Sequence, residues 1–211
     1  MAAGHAGSGS IDAVVFDLGA VLIDWNPRYL YRRLFDGDEV AMERFLTEVC
    51  TPEWNRRQDA GRTWAEAVES LVAEHPDQAD LIRAYRSSWL EMLGGSIDGT
   101  VAIFDELRAR GVPLFALSNW STETWPMAVE RFPFLGGFTD ILISGEAGVA
   151  KPDPRIYRIL IERDRLDPAR TVFIDDVPAN VEGARAAGFV GIVFTDPDSL
   201  RRELVGLGLL D

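Results

Sequence analysis

The stretch VVFDLGAVLIDW, residues 14–25, decides the fold. Its apolar run, Val14-Val15-Phe16, stops at a carboxylate, Asp17, and Gly19 follows shortly after. A run that is apolar at consecutive positions, without alternation, predicts a strand of a parallel sheet covered on both faces. With Ala13 this strand covers 13–17, and the same signature recurs at 113–119 (PLFALSN), 140–144 (DILIS), 171–176 (TVFIDD) and 190–195 (VGIVFT). Helical patterns separate these runs at 100–111, 122–132, 153–164 and 180–188. The alternation predicts an α/β fold, a doubly wound parallel sheet of Rossmann-like type. The interval 27–96 breaks the alternation: it carries helical periodicity and no convincing strand. It predicts a small all-helical domain inserted after the first strand, leaving 11–26 and 97–211 as the core domain and 1–10 as a disordered leader.

Composition excludes several classes. The chain has 211 residues and a formal net charge of −13, which argues against nucleic acid or an anionic membrane as the main partner. Cys50 is the only cysteine, so neither an internal disulfide nor a cysteine-rich zinc site is possible. The two histidines, His5 and His75, fall in the leader and in a polar EHPDQ segment, which disfavours a histidine-based triad or metal cluster. The leader MAAGHAGSGS has no apolar block and does not read as a signal peptide. No apolar run approaches the roughly 18–20 residues that span a bilayer. The expectation is a cytoplasmic protein, monomer or homodimer.

In open α/β sheets, ligands bind beyond the C-terminal ends of the strands. The first strand ends in Asp17, the second in Ser118-Asn119, and the TVFIDD strand in Asp175-Asp176. Lys151, in GVAKPDP, is expected to open the helix after the DILIS strand. An aspartate closing one strand is commonly a turn or cap residue. Several such groups converging on one rim are harder to assign to turns. Clustered carboxylates repel unless a cation sits among them, and oxygen-only ligands select a hard ion, Mg²⁺ above others. A lysine and a hydroxyl at the same point would hold an anion. Together they provide the charge neutralisation and positioning that phosphoryl transfer requires, and a carboxylate aimed there can attack phosphorus.

The order DLGAVL, LSN, AKPDP and FIDDVPANVEGARAAG resembles the motifs of the haloacid dehalogenase-like hydrolase superfamily, over nearly the whole chain after the leader. The helical interval resembles its small cap. The first and last motifs look most like the sugar-1-phosphate phosphatase branch and the phosphatase domain of some epoxide hydrolases. The resemblance implies a Mg²⁺-dependent phosphatase acting on a small phosphorylated metabolite. It implies Asp17 as nucleophile, Ser118 and Asn119 as phosphate-binding, and Lys151 as the lysine pairing with both. Asp176, Asp175 and the Gly19 carbonyl would join Asp17 as metal positions. Most phosphatases of the superfamily carry an acid/base aspartate where this chain has Gly19. Such a group is worth about 10²–10⁴-fold. The segment WNRRQDAGR (54–62) resembles the substrate-specificity loop, with Asp59 and Gly61 matching its acid-x-Gly turn; Asp59 is expected to contact substrate and is a candidate surrogate acid/base. Arg56, Arg57 and Arg62 read either as a solvated face or as substrate contacts. Asp24-Trp25 read as a hinge or cap, and Trp120 as pocket wall or core.

Two other readings stay open. A 2-haloacid dehalogenase also uses an aspartate nucleophile and lacks the second aspartate. It attacks carbon, however, and the adjacent Asp175 and Asp176 would repel a haloacid carboxylate. A binding protein that lost turnover would have no need of a nucleophile.

Overall fold

The computed structural model describes residues 10–211. Among the described residues there are seven strands: β1 (Ala13–Phe16), β2 (Ile23–Trp25), β3 (Leu93–Ser96), β4 (Leu114–Ser118), β5 (Asp140–Ile143), β6 (Thr171–Asp175) and β7 (Val190–Val193). Five of them form one parallel sheet in the order β5-β4-β1-β6-β7. The central strand shows why its sequence does not alternate. Val14 and Phe16 enter one core with Leu114, Ala116, Val172 and Ile174, while Ala13 and Val15 enter another with Phe115, Leu117 and Phe173. Both faces are therefore covered, and Val14, Val15 and Phe16 are fully buried. The order of strands puts the ends of β1, β4 and β6 side by side, which is what assembles the site.

The chain then leaves the sheet. Asp17 still donates its N–H to Ile174, but Ala20 turns the backbone into the left-handed region. β2 follows, pairing antiparallel with β3. Here the structure corrects the sequence reading: the interval 27–96 was expected to hold no strand, yet Leu93–Ser96 is one. The LGGS segment is too short and too rich in glycine to show a period. Gly94 is required by close approach, since a Cβ there would collide with the Asp24 carboxylate and the Tyr29 ring. The Tyr29 hydroxyl donates to that carboxylate at 2.6 Å.

Between β2 and β3 lie α1 (Arg28–Leu34), α2 (Glu39–Glu48), α3 (Pro52–Asp59), α4 (Trp64–Glu74) and α5 (Ala79–Ser87), then a 3₁₀ turn at Trp89–Met92. They form a helical cap around Tyr31, Phe45, Trp54, Trp64 and Tyr85, whose rings pack edge-on, tilted or stacked. α3 is a second departure, because the sequence reading treated 54–62 as a loop. Its start is nonetheless written in the chain: the Thr51 side chain caps Trp54 N–H, Pro52 opens the helix, and Glu53 faces its dipole.

The core helices are α6 (Asp98–Ala109), α7 (Trp125–Arg131), α8 (Ser144–Ala147), α9 (Pro154–Asp164), α10 (Pro178–Ala186) and α11 (Pro197–Gly206). Lys151 does not open a helix as expected. It sits in the turn before α9, whose cap is Asp153 with Pro154 next. Of the expected leader only Ser10 is described, and Arg170 donates to its main-chain oxygen and hydroxyl; residues 1–9 lie outside the described residues. No helix among the described residues is long and apolar enough to cross a membrane.

Candidate active site

Asp17 lies just past β1, Ser118 ends β4 and Asp175 ends β6, so three neighbouring strands deliver them to one place. Asp17 Oδ1 accepts from Leu18 N–H at 2.7 Å and from Ser118 Oγ at 2.7 Å, and pairs with Lys151 Nζ at 3.0 Å. The partners found for this carboxylate all fall on Oδ1, so Oδ2 is the oxygen left for a further bond. Lys151 is buried to its tip. Its ammonium donates to Asp175 Oδ2 at 2.6 Å and to the Leu117 carbonyl at 2.7 Å. Burial opposes that charge, but the Asp17 and Asp175 carboxylates outweigh it and hold the lysine above its ordinary value. The Asp17 carboxyl is pushed up, first by burial and then by Asp175, with Lys151 and Ser118 pulling it back.

Asp175 is saturated by the protein. Besides Lys151 it accepts from Val177 N–H at 2.9 Å and from Asn180 Nδ2 at 3.0 and 3.1 Å. Sequence reasoning passed over Asn180, although a buried amide placed in the first turn of the helix after DD is the readable signal. Asp176 is half-buried and has no ion-pair partner among the described residues; burial and then Asp175 push its carboxyl up. Asp17, Asp175 and Asp176 each bring an oxygen within 4.8 Å of the others. Three carboxylates against one lysine leave negative charge uncompensated, and an all-oxygen donor set of this kind fits a hard divalent cation.

Asn119, expected to bind phosphate, uses both ends of its amide on the Lys151 main chain. Its Oδ1 accepts from Lys151 N–H at 2.8 Å and its Nδ2 donates to the Lys151 carbonyl at 3.1 Å. It fixes the lysine's loop to the end of β4.

A cavity of about 90 Å³ opens above this rim, lined by Gly19, Trp25, Asn55, Asp59, Trp89, Asn119, Trp120 and Thr124. Trp120 is therefore both core and wall, packing edge-on against Trp89 and Trp125. Asp59 closes α3, and its Oδ2 accepts from Asn55 Nδ2 at 3.1 Å. Desolvation, reinforced by the Asp17 charge, pushes its carboxyl up to about 8, against the pull of the Ser121 main-chain N–H. Ser144, not singled out from sequence, is the pin beneath it: its hydroxyl accepts from Trp120 N–H at 2.9 Å and donates to the Asp59 carbonyl. Gly145 lets the two meet, because a Cβ there would strike the Trp120 carbonyl and Thr122 N–H at 2.8 Å. The cap is fastened further by Trp64, whose main-chain N–H donates to Glu123 at 2.8 Å and whose indole donates to Ser121 at 3.2 Å. The arginines are turned elsewhere. Arg56 and Arg57 are solvent-exposed beside Glu53, and Arg62 donates to the Glu66 carbonyl, so none lines the cavity.

A doubly wound sheet carrying a carboxylate–lysine centre at its C-terminal rim, beneath a helical cap, defines an α/β enzyme with a covered active site. A family model of haloacid dehalogenase-like hydrolases matches residues 11–188, and the chain belongs to that family. It is 25% identical over 192 residues to the sesquiterpene phosphatase astK of Aspergillus oryzae, covering 91% of this chain and 94% of that one. It is also 26% identical to mouse Acyl-CoA dehydrogenase family member 10 over 96% of this chain, but spans only 20% of that protein's length. The fold is shared with a HAD family enzyme of Bacteroides thetaiotaomicron solved with magnesium and inorganic phosphate (TM-score 0.65, 24% identity, 89% of this chain and 96% of that chain). It is shared equally with the L-2-haloacid dehalogenase of Xanthobacter autotrophicus (TM-score 0.64, 21% identity, 93% and 83%).

Proposed function

We propose that this chain is a phosphatase that hydrolyses the phosphomonoester of a small metabolite through an aspartyl-phosphate on Asp17. The observation that carries the reading is the division of labour on Asp17: Ser118, Leu18 and Lys151 hold one carboxylate oxygen, and the other is left to attack. The Ser118 hydroxyl and the Lys151 ammonium, at 2.7 and 3.0 Å from Asp17 Oδ1, would stabilise the charge of a phosphoryl group taken up by Asp17. Asp175 keeps the lysine charged and aimed. Asp17, Asp176 and the Gly19 carbonyl would hold Mg²⁺, with Asp175 beside them; bound there, the ion would neutralise phosphoryl oxygens. The phosphatase activity named for the Aspergillus relative supports the same reaction class.

The cavity narrows the substrate. Trp25, Trp89 and Trp120 wall it, and no basic side chain lines it. Such walls favour a leaving group without charge that presents an apolar face, as a sugar ring or hydrocarbon chain does, over one carrying a second anion. A sugar 1-phosphate fits this description.

The test is phosphate release from p-nitrophenyl phosphate and glucose 1-phosphate, with Mg²⁺ and with EDTA, by wild type and Asp17→Asn. Metal-dependent release that disappears in Asp17→Asn is the expected result. Chloride release from 2-chloropropionate without phosphate release would replace this reading with the dehalogenase one.

A further inference from the structure

We propose that Asp59, carried on the cap, is the acid–base group of this site and performs from above what Gly19 cannot perform from the core. The proposal rests on the phosphatase reading. Its ground is the cavity: Gly19 and Asp59 line the same small space, and among its lining residues Asp59 is the only ionisable side chain. No other carboxylic acid lines that space. Nor is the carboxyl tied up by a charged partner; besides the Ser121 main-chain N–H it meets only neutral groups. It has no ion-pair partner among the described residues, and its one side-chain contact is the neutral Asn55 amide.

The carboxyl is also positioned. Ser144 joins the Asp59 main chain to the loop after β4, so the end of α3 is registered against Ser118 and Asn119. Gly61, in the left-handed region, turns the chain away directly after it. The titratable groups that face Asp59 are Asp17 from the core, whose charge disfavours the Asp59 anion, and Tyr85 from α5, which burial and the Asp59 charge hold as a neutral phenol; Arg56 on its own helix is occupied by Glu53. Burial and the Asp17 charge both favour the protonated carboxyl, the form a general acid needs.

The chemistry balances. An Asp17 oxygen forms a bond to phosphorus while the phosphorus–oxygen bond to the leaving group breaks, and the Asp59 acid gives that oxygen its proton, releasing an alcohol. Water then forms a bond to phosphorus, the Asp59 carboxylate takes a proton from it, and the Asp17–phosphorus bond breaks. Inorganic phosphate departs, and Asp59 is again an acid.

The experiment compares Asp59→Asn with wild type on two substrates, with stopped-flow mixing. p-Nitrophenolate leaves as a stable anion and needs no proton; a sugar or alkyl alkoxide does. Asp59→Asn is expected to lose about 10²–10⁴-fold on glucose 1-phosphate. On p-nitrophenyl phosphate it should release a burst of one equivalent of p-nitrophenolate and then stall, because the aspartyl-phosphate lacks its base. Adding Gly19→Asp to Asp59→Asn should restore turnover. Equal losses on both substrates with no burst, and an unchanged pH profile, would assign Asp59 a structural role and overturn the proposal. Wild type inert towards every phosphomonoester, or active after Asp17→Asn, would instead overturn the phosphatase reading, and this proposal with it.

Discussion

Replacing Lys151 with methionine isolates the electrostatics of the rim. Methionine keeps most of the buried stem and removes the charge. In the wild type the ammonium stands 3.0 Å from Asp17 and 2.6 Å from Asp175, with no solvent contact. At an effective dielectric of about 20, Coulomb's law gives each contact roughly 5–6 kcal/mol of gross attraction. Desolvation of three buried charges offsets most of that sum. What remains visible is the cost of stranding the partners, typically about 3–5 kcal/mol for a buried pair. A domain of this kind has a total stability of about 5–15 kcal/mol, so the loss is a large share. With a urea slope near 2 kcal/mol/M, the unfolding midpoint should fall by about 2 M. The assay is urea denaturation followed by tryptophan fluorescence, in EDTA so that no cation substitutes. Lys151→Met/Asp175→Asn should recover about 1–2 kcal/mol relative to the single variant, because one of the two stranded charges is gone. A single variant within about 0.5 M of wild type, or a double variant no better than the single, would refute the account.

Gly19→Asp should fold normally, since no atom lies within 4 Å of a Cβ there and the backbone is outside the left-handed region; melting within about 2 °C of wild type checks this. In the wild-type background it should raise the glucose 1-phosphate rate by less than about 10-fold, because Asp59 already supplies the proton. Ser144→Ala strands the Trp120 N–H and the Asp59 carbonyl, and should cost about 1–3 kcal/mol in urea unfolding while lowering kcat on alkyl phosphates. Asp59→Asn should alter the pH dependence of stability. The folded value, about 8, lies above the unfolded value near 3.9, so wild type loses stability as pH rises from about 4 to about 8. Thermal melts at the two ends of that window should show Asp59→Asn gaining on wild type at the alkaline end.

What the sequence disclosed, and what it hid, follows from how far each feature reaches. A strand buried on both faces is marked residue by residue, so β1, β4 and β6 could be read from Val14-Val15-Phe16 and its counterparts, and with them the rim ending in Asp17, Ser118 and Asp175. β3 could not, because Gly94 is explained only by the Asp24 and Tyr29 side chains that lie over it. α3 was readable from Thr51-Pro52-Glu53, but a resemblance to a loop obscured it. The parts played by Ser144 and Asn119 depend on which segments become neighbours. A lone serine after DILI carries no mark of the helix end it will pin, and an asparagine after serine carries no mark of the lysine loop it will brace. Arg56 and Arg57 were ambiguous for a related reason. Their charge is evident, but only the roll of α3 decides that they face solvent with Glu53 while Asp59 faces the cavity.

The pairing of β2 with β3 also makes the enzyme modular. The chain departs from the core and returns to it at adjacent points, so the core meets the whole excursion as one closed loop. The entropy of closing such a loop grows only with the logarithm of its length, by about 0.6 kcal/mol for each doubling. Helices can be lengthened, exchanged or lost within it at little expense to the sheet. On the proposed reading, recognition by the excursion and bond-breaking at the rim would then be free to evolve separately. Asp59 is the exception: an exchange of caps in this chain would remove a proton donor along with the old substrate preference, and the incoming cap would have to bring one.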